Sequence, residues 1–136
     1  MTPEQAELIR KSFDAMGLAR RRIADLCYQR LFELAPDARS LFPDDMGRQQ
    51  LKLMDMIAAL VGALDQRELF QSLITQSGRQ HAGFGVQPSQ YVAFGEALLW
   101  SLEHEFGTSF TPELKEAWRT LYDTVQEKML QAGAQR

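Results

Sequence analysis

Apolar residues recur at intervals of three and four along nearly the whole chain, and strict alternation over a strand's length is missing, so the pattern predicts helices throughout. Thr2 and Pro3 supply a cap and a first-turn proline, and Gln5 completes a capping box. Ile9, Phe13 and Met16 form the buried stripe of this first helix, which Gly17 stops. A second helix is expected from about 18 to 33, with Ile23, Leu26, Cys27, Leu31 and Phe32 facing inward. Pro36 starts a short turn, and Pro43, Asp44, Asp45 and Gly47 read as a corner.

A long helix beginning near 46 to 48 places Gln49, Leu53, Ile57, Leu60 and Leu64 on one side and is expected to break near Asp65. The segment from about 67 to 83 is weaker. Phe70, Leu73 and Ile74 give way to polar residues, and Gly78 inside it costs roughly 1 kcal/mol against alanine. After Gly83, Gly85 and Pro88, the residues Tyr91, Phe94, Leu98 and Leu102 line a helix that ends at Gly107. Thr111 and Pro112 open a last helix with Leu114, Trp118, Leu121, Tyr122, Val125 and Met129 at helical spacing.

With no internal repeat and no linker-like stretch, residues 1–136 are expected to form one all-α domain. Apolar residues at 45% and charged residues at 24% give the balance of a chain with a packed core, not of a disordered segment. A net charge of −3 argues against a nucleic-acid surface, which needs clustered positive charge, and the run Arg20 to Arg22 reads as a solvated helix start. The single cysteine, Cys27, permits neither an intramolecular disulfide nor an all-thiolate metal site, which fits a reducing cytoplasm. The N-terminus lacks the pattern of a secretory signal. The longest apolar run, MIAALVGAL at 56–64, is about half of what a membrane span needs, so no membrane association is expected.

Two histidines and one cysteine leave few catalytic constellations open, and HExxH, GxSxG and a glycine-rich phosphate loop are all missing. Cys27 lies on an apolar stripe, as a small core residue does. His104 falls in the last turn of its helix, where a partly positive imidazole complements the helix dipole. His81 stands apart, among residues that weaken a helix, on a segment that needs something to pack against. A satisfied surface histidine and a ligand to a bound prosthetic group are both open readings of it.

Four stretches narrow the choice: YQRLFELAPDARSLF at 28–42, QLKLMDMIAALV at 50–61, GRQHAGFGVQPSQYVAFGEALLWSL at 78–102 and FTPELKEAWRTLYDTV at 110–125. In their order and spacing, from Glu7 to Met129, the chain resembles the globins. The likeness is to the bacterial single-domain globins, among them the Hell's Gate type, and to the globin domain of flavohaemoglobins. The resemblance implies a globin fold, a three-on-three helical sandwich enclosing one haem b. By position it makes His81 the proximal ligand of the haem iron and Phe42 the ring stacked on the porphyrin. Tyr28 matches the distal tyrosine of this branch, Gln49 the distal glutamine and Leu53 the apolar residue above the iron. A slip of one residue in RQQLKLM would put Gln50 in place of Gln49. Ile57, Val86, Tyr91 and Phe94 would line the cofactor, and Lys52 would reach a propionate.

The implied function is reversible binding of dioxygen, with nitric oxide and carbon monoxide as further ligands, in a monomer or weak homodimer. A neutral imidazole suits haem iron, and its second ring nitrogen is free to donate to a carbonyl that fixes the ring. A donor opposite, such as the Tyr28 hydroxyl, would act on the partial negative charge of bound dioxygen. Such a bond is worth about 1.5 to 3 kcal/mol, roughly 10- to 150-fold in affinity.

Three departures bear on the alternative, nitric oxide dioxygenation. Tyr91 matches the tyrosine that supports the proximal histidine in flavohaemoglobins, but the accompanying glutamate position falls on Gly133. Ser77 replaces the apolar residue usual four places before the histidine. The chain shows no reductase half, so an external reductase would have to supply electrons.

Overall fold

The computed structural model describes residues 1–134, which include no strand. Among the described residues six α-helices follow one another: α1 Pro3–Met16, α2 Arg20–Leu34, α3 Gly47–Gly62, α4 Arg67–Gly83, α5 Pro88–Phe106 and α6 Pro112–Ala134. Short 3-10 turns fill the corners at Gly17–Ala19, Pro36–Leu41 and Gly107–Ser109.

The ends are built as the sequence predicts. Gln5 N–H donates to Thr2 Oγ1 at 3.1 Å, and Thr2 N–H donates to Gln5 Oε1 at 3.0 Å. Leu114 N–H donates to Thr111 Oγ1 at 3.2 Å at the head of α6. Gly17 and Gly107 leave their helices at φ of 49° and 56°, a left-handed conformation in which any Cβ is strained. Two boundaries differ from expectation. The second helix starts at Arg20 after its 3-10 turn. The third ends at Gly62 rather than near Asp65, where the bonding tightens: Leu64 N–H reaches the Val61 carbonyl and Gln66 N–H that of Ala63, each three residues back. Leu64 therefore lies beyond the α3 stripe, half-buried.

The helices form two layers of three, with α1, α3 and α4 over α2, α5 and α6. The most extensive contacts join α4 to α6 and α2 to α5, while α1 bridges α3 and α6. Helices α3 and α4, neighbours in one layer, scarcely touch. Trp118 anchors the core: its indole N–H donates to Ser12 Oγ at 3.0 Å, and that hydroxyl donates to the Ile9 carbonyl at 3.0 Å. Every polar atom of this buried group is thereby paired, as the interior requires. On α2 the core takes Ile23, Ala24, Cys27, Tyr28 and Leu31, whereas Leu26 and Phe32 are half-buried.

Helix α4 is a full helix despite its polar sequence, because its faces divide the work. At about 100° per residue, Leu73, Ser77 and His81 share one face, and Ile74, Gly78 and Ala82 share a second. Ser72, Thr75, Gln76 and Arg79 fall on the remaining side, along a shallow polar hollow open to solvent. The second face docks on α6. A Cβ added at Gly78 would lie 2.5 Å from the Met129 carbonyl oxygen and 2.8 Å from its Cα. One added at Gly133 would meet the Ala82 methyl at 2.9 Å and the Gly78 carbonyl oxygen at 3.2 Å. The two glycines let the two backbones approach to contact. The packing partner that this segment needs is thus α6.

Candidate functional site

Helices α2 and α3 bring Tyr28 and Gln49 together. The Gln49 amide Nε2 donates to the Tyr28 hydroxyl oxygen at 3.1 Å. The adjacent Gln50 points elsewhere, donating to Asp25 Oδ1 at 3.1 Å, and Gln29 donates to Asp25 Oδ2 at 2.8 Å. Asp25 therefore pins the start of α3 to α2 and fixes which glutamine meets the phenol. Leu53, one turn beyond Gln49, is half-buried, and Ile57, one turn further, is buried. Lys52 is exposed.

Tyr28 is buried within a cage of rings. Phe42 meets it edge-on at 5.4 Å between centroids and Phe94 does the same at 5.9 Å, while Phe32 lies at 6.3 Å. Edge-to-face geometry of this kind is favourable beyond the area it buries. Phe42 is held by a residue that sequence reasoning missed. The Arg39 guanidinium donates to the carbonyls of Phe42 (3.3 Å), Pro43 (3.0 Å) and Asp44 (3.2 Å), and lies 5.1 Å above the Phe32 ring. A lone arginine just before a corner with unpaired carbonyls was the available signal. Gln90, also unforeseen, ties the head of α5 to the turn after α2 by donating to Asp37 Oδ2 at 3.0 Å.

On α4 the His81 ring is half-buried, and its Nδ1 lies 2.6 Å from the Ser77 carbonyl oxygen and 3.2 Å from Ser77 Oγ. A carbonyl only accepts, so Nδ1 carries a proton, and in the neutral ring the lone pair is then on Nε2. Tyr91 stands beside His81 at 6.1 Å between ring centroids, a ring contact, while the described hydrogen bonds of Nδ1 go to Ser77. Val86 N–H donates to the His81 carbonyl at 3.1 Å, closing the turn after α4. Along α5, Tyr91 sits beside His81 and Phe94 beside Tyr28, one turn apart, so this helix joins the two halves of the site. Tyr122 stacks on Phe94 at 6.0 Å, and its hydroxyl donates to the Tyr91 carbonyl at 2.5 Å.

The remaining candidates lie apart. Cys27 is fully buried, and burial raises its thiol pKa, so it is not a thiolate nucleophile. His104 stacks on Trp100 at 5.3 Å at the end of α5. Of the basic run, Arg22 pairs with Glu105, and the Arg20 guanidinium lies 3.9 Å above the Phe13 ring. Among the described residues no three His, Cys, Asp or Glu side chains come together to hold a bare metal ion. No described helix is long and apolar enough to cross a membrane.

Burial also raises the phenol pKa values of Tyr28, Tyr91 and Tyr122, with the Gln49 hydrogen bond opposing part of the effect at Tyr28. The native state therefore keeps protons that the unfolded chain releases at alkaline pH, and stability falls as pH rises through the unfolded phenol range. The urea midpoint is expected to decline progressively above about pH 10. A midpoint that holds steady through that range would contradict the burial of these hydroxyls.

A half-buried imidazole on α4, a caged phenol on α2 and two sparsely packed helices, α3 and α4, come together in one three-on-three helical sandwich. Comparison with known proteins gives the family. The globin family model matches residues 25–129. Neuroglobins of Tetraodon nigroviridis and Chaenocephalus aceratus are each 30% identical, with 98% of this chain and 93% of theirs aligned. Among solved structures, an engineered carbene transferase, described as a candidate nitric oxide dioxygenase of Rhodothermus marinus, is similar at a TM-score of 0.88 and 28% identity. The match covers 99% of this chain and 94% of that one. A hexacoordinated heme protein of an anhydrobiotic tardigrade shares the fold at a TM-score of 0.89 and 16% identity, covering 99% and 96% of the two chains. The chain belongs to the globin family.

Membership implies a haem cofactor, and the residues present fit one. The Ser77 carbonyl favours the His81 tautomer whose Nε2 would be open to a haem iron, and the half-buried Phe42, Leu53, Val86 and Phe94 would offer it apolar surface.

Proposed function

We propose that this globin holds haem b through His81 Nε2 and reversibly binds dioxygen on the opposite side, with nitric oxide and carbon monoxide as further ligands. The bond between Gln49 and Tyr28 carries this reading. By donating to the phenol oxygen, the Gln49 amide occupies that oxygen as an acceptor and leaves the O–H free to donate to a ligand. Haem iron, when bound, would supply a coordination position for a diatomic ligand. The protonated Tyr28 hydroxyl, whose pKa burial raises further, would donate to such a ligand. Phe42, Leu53, Ile57 and Phe94, which packs on Tyr28, would exclude water on the distal side, and Val86 and Tyr91 would line the other. Lys52 reaches a propionate from its exposed place on α3. The phenol and amide pair also supports the narrower placement with bacterial single-domain globins. A cytoplasmic monomer or weak homodimer completes the reading.

The direct test is an absorption spectrum of the haem-reconstituted protein, reduced and then exposed to carbon monoxide. A Soret band that shifts on carbon monoxide binding is expected; absence of any Soret band ends the proposal. Tyr28→Phe should speed dioxygen dissociation by about ten-fold or more. An unchanged off-rate in stopped-flow exchange would remove Tyr28 from the distal site.

Likeness to the Rhodothermus protein supports a second reading, oxidation of nitric oxide to nitrate with electrons from an external reductase. Mixing the oxygenated protein with nitric oxide in the presence of a reductase and NADH separates the two. Continued turnover supports the enzyme, and a single stoichiometric oxidation leaves a ligand-binding globin.

A further inference from the structure

One residue touches the same nitrogen of His81 twice. Ser77 presents its carbonyl at 2.6 Å and its hydroxyl oxygen at 3.2 Å to Nδ1. The carbonyl contact is open to any residue four places back on a helix, but the hydroxyl contact belongs to this side chain. Residues i and i+4 lie one above the other, and a short hydroxyl at that place reaches the ring where an apolar side chain has nothing to offer. Since Nδ1 bears the proton, both oxygens accept from one N–H. Around the ring, α5 contributes the Tyr91 side chain, and the α6 backbone closes against the neighbouring turn of α4 at Gly133. A carboxylate at position 133 is excluded by that contact, because even a methyl there would press on Ala82 and on the Gly78 carbonyl.

We propose that the Ser77 hydroxyl is a positioning group for His81, setting the ring's orientation and its strength as a donor to haem iron. The inference rests on His81 being the iron ligand. Accepting from Nδ1–H moves electron density toward Nε2 and makes it a better donor, the effect that outer partners of ligating histidines have in general. A stronger donor favours ferric over ferrous iron and lowers the midpoint potential. Two acceptors on one N–H also restrict rotation of the ring about its bond to Cβ.

The experiment compares haem-reconstituted wild type, Ser77→Ala and Ser77→Thr. Three quantities are read: the iron–histidine stretching band of the ferrous unliganded protein by resonance Raman, the ferric/ferrous midpoint potential, and the rate of haem transfer to an apo-globin scavenger. Alanine is a better helix former than serine, so Ser77→Ala is expected to fold, and its far-UV spectrum reports that directly. In Ser77→Ala the band should move to lower frequency, the potential should rise, and haem transfer should accelerate by about ten-fold. Ser77→Thr, which keeps the hydroxyl, should return all three toward wild type. A band and potential unchanged in Ser77→Ala overturn the inference, as does a threonine variant that matches alanine. Wild type with no histidine-dependent band overturns the iron-ligand reading and this inference with it. A normal wild-type band with a silent Ser77→Ala overturns this inference alone.

Discussion

Replacing His81 with alanine is expected to abolish stable haem retention, the largest effect any single substitution in this chain should produce. The other histidine, His104, is stacked on Trp100 at the end of α5, so no second imidazole takes over. Haem added to His81→Ala should be lost on gel filtration, and added imidazole should restore both binding and a ligand-responsive Soret band. The fold should survive, because α4 is seated on α6 at the close approaches of Gly78 and Gly133. Helicity close to wild type together with absent haem is therefore the expected pair of results. Unchanged haem retention with an unchanged carbon monoxide spectrum would falsify the ligand role.

Gly78→Ala should be the most damaging substitution outside the site. A methyl there would stand 2.5 Å from the Met129 carbonyl oxygen and 3.0 Å from its carbon, both backbone atoms that a rotamer change does not move. Overfilling such a contact costs about 1 to 3 kcal/mol and more where neither side yields, so a loss of about 3 kcal/mol is expected in urea unfolding of the apoprotein. Gly62→Ala is the matched control. Position 62 is an exposed helical site with nothing within 4 Å of an added Cβ, and alanine there should stabilise by up to about 1 kcal/mol. Equal effects at the two positions would mean that helix propensity, and not the contact with α6, governs position 78.

That contrast shows where sequence reasoning ran out. Apolar spacing placed all six helices, and the caps at Thr2 and Thr111 were legible because capping is a local matter of side-chain reach. Gly78 was legible only as a flaw, since its value lies in a backbone on another helix that no local pattern reveals. Ser77 and Gly133 were seen as departures from a family pattern but not as parts of a structure. Their purposes depend on a ring four residues away and on a methyl of α4. The choice between Gln49 and Gln50 could not be made from spacing, and it is Asp25, on the preceding helix, that draws Gln50 aside. Arg39 was overlooked because its three acceptors are backbone carbonyls, which a sequence does not display.

The unequal grip of α4 on its two neighbours, α6 and α3, bears on how the chain would be assembled. Helix α4 is clasped by α6 through the glycine contacts, whereas α3 and α4 barely meet. The α4 wall, with the His81 ring held by the Ser77 carbonyl, would thus be built by helix-to-helix packing alone. Cofactor loading would then be a late event, following folding rather than driving it.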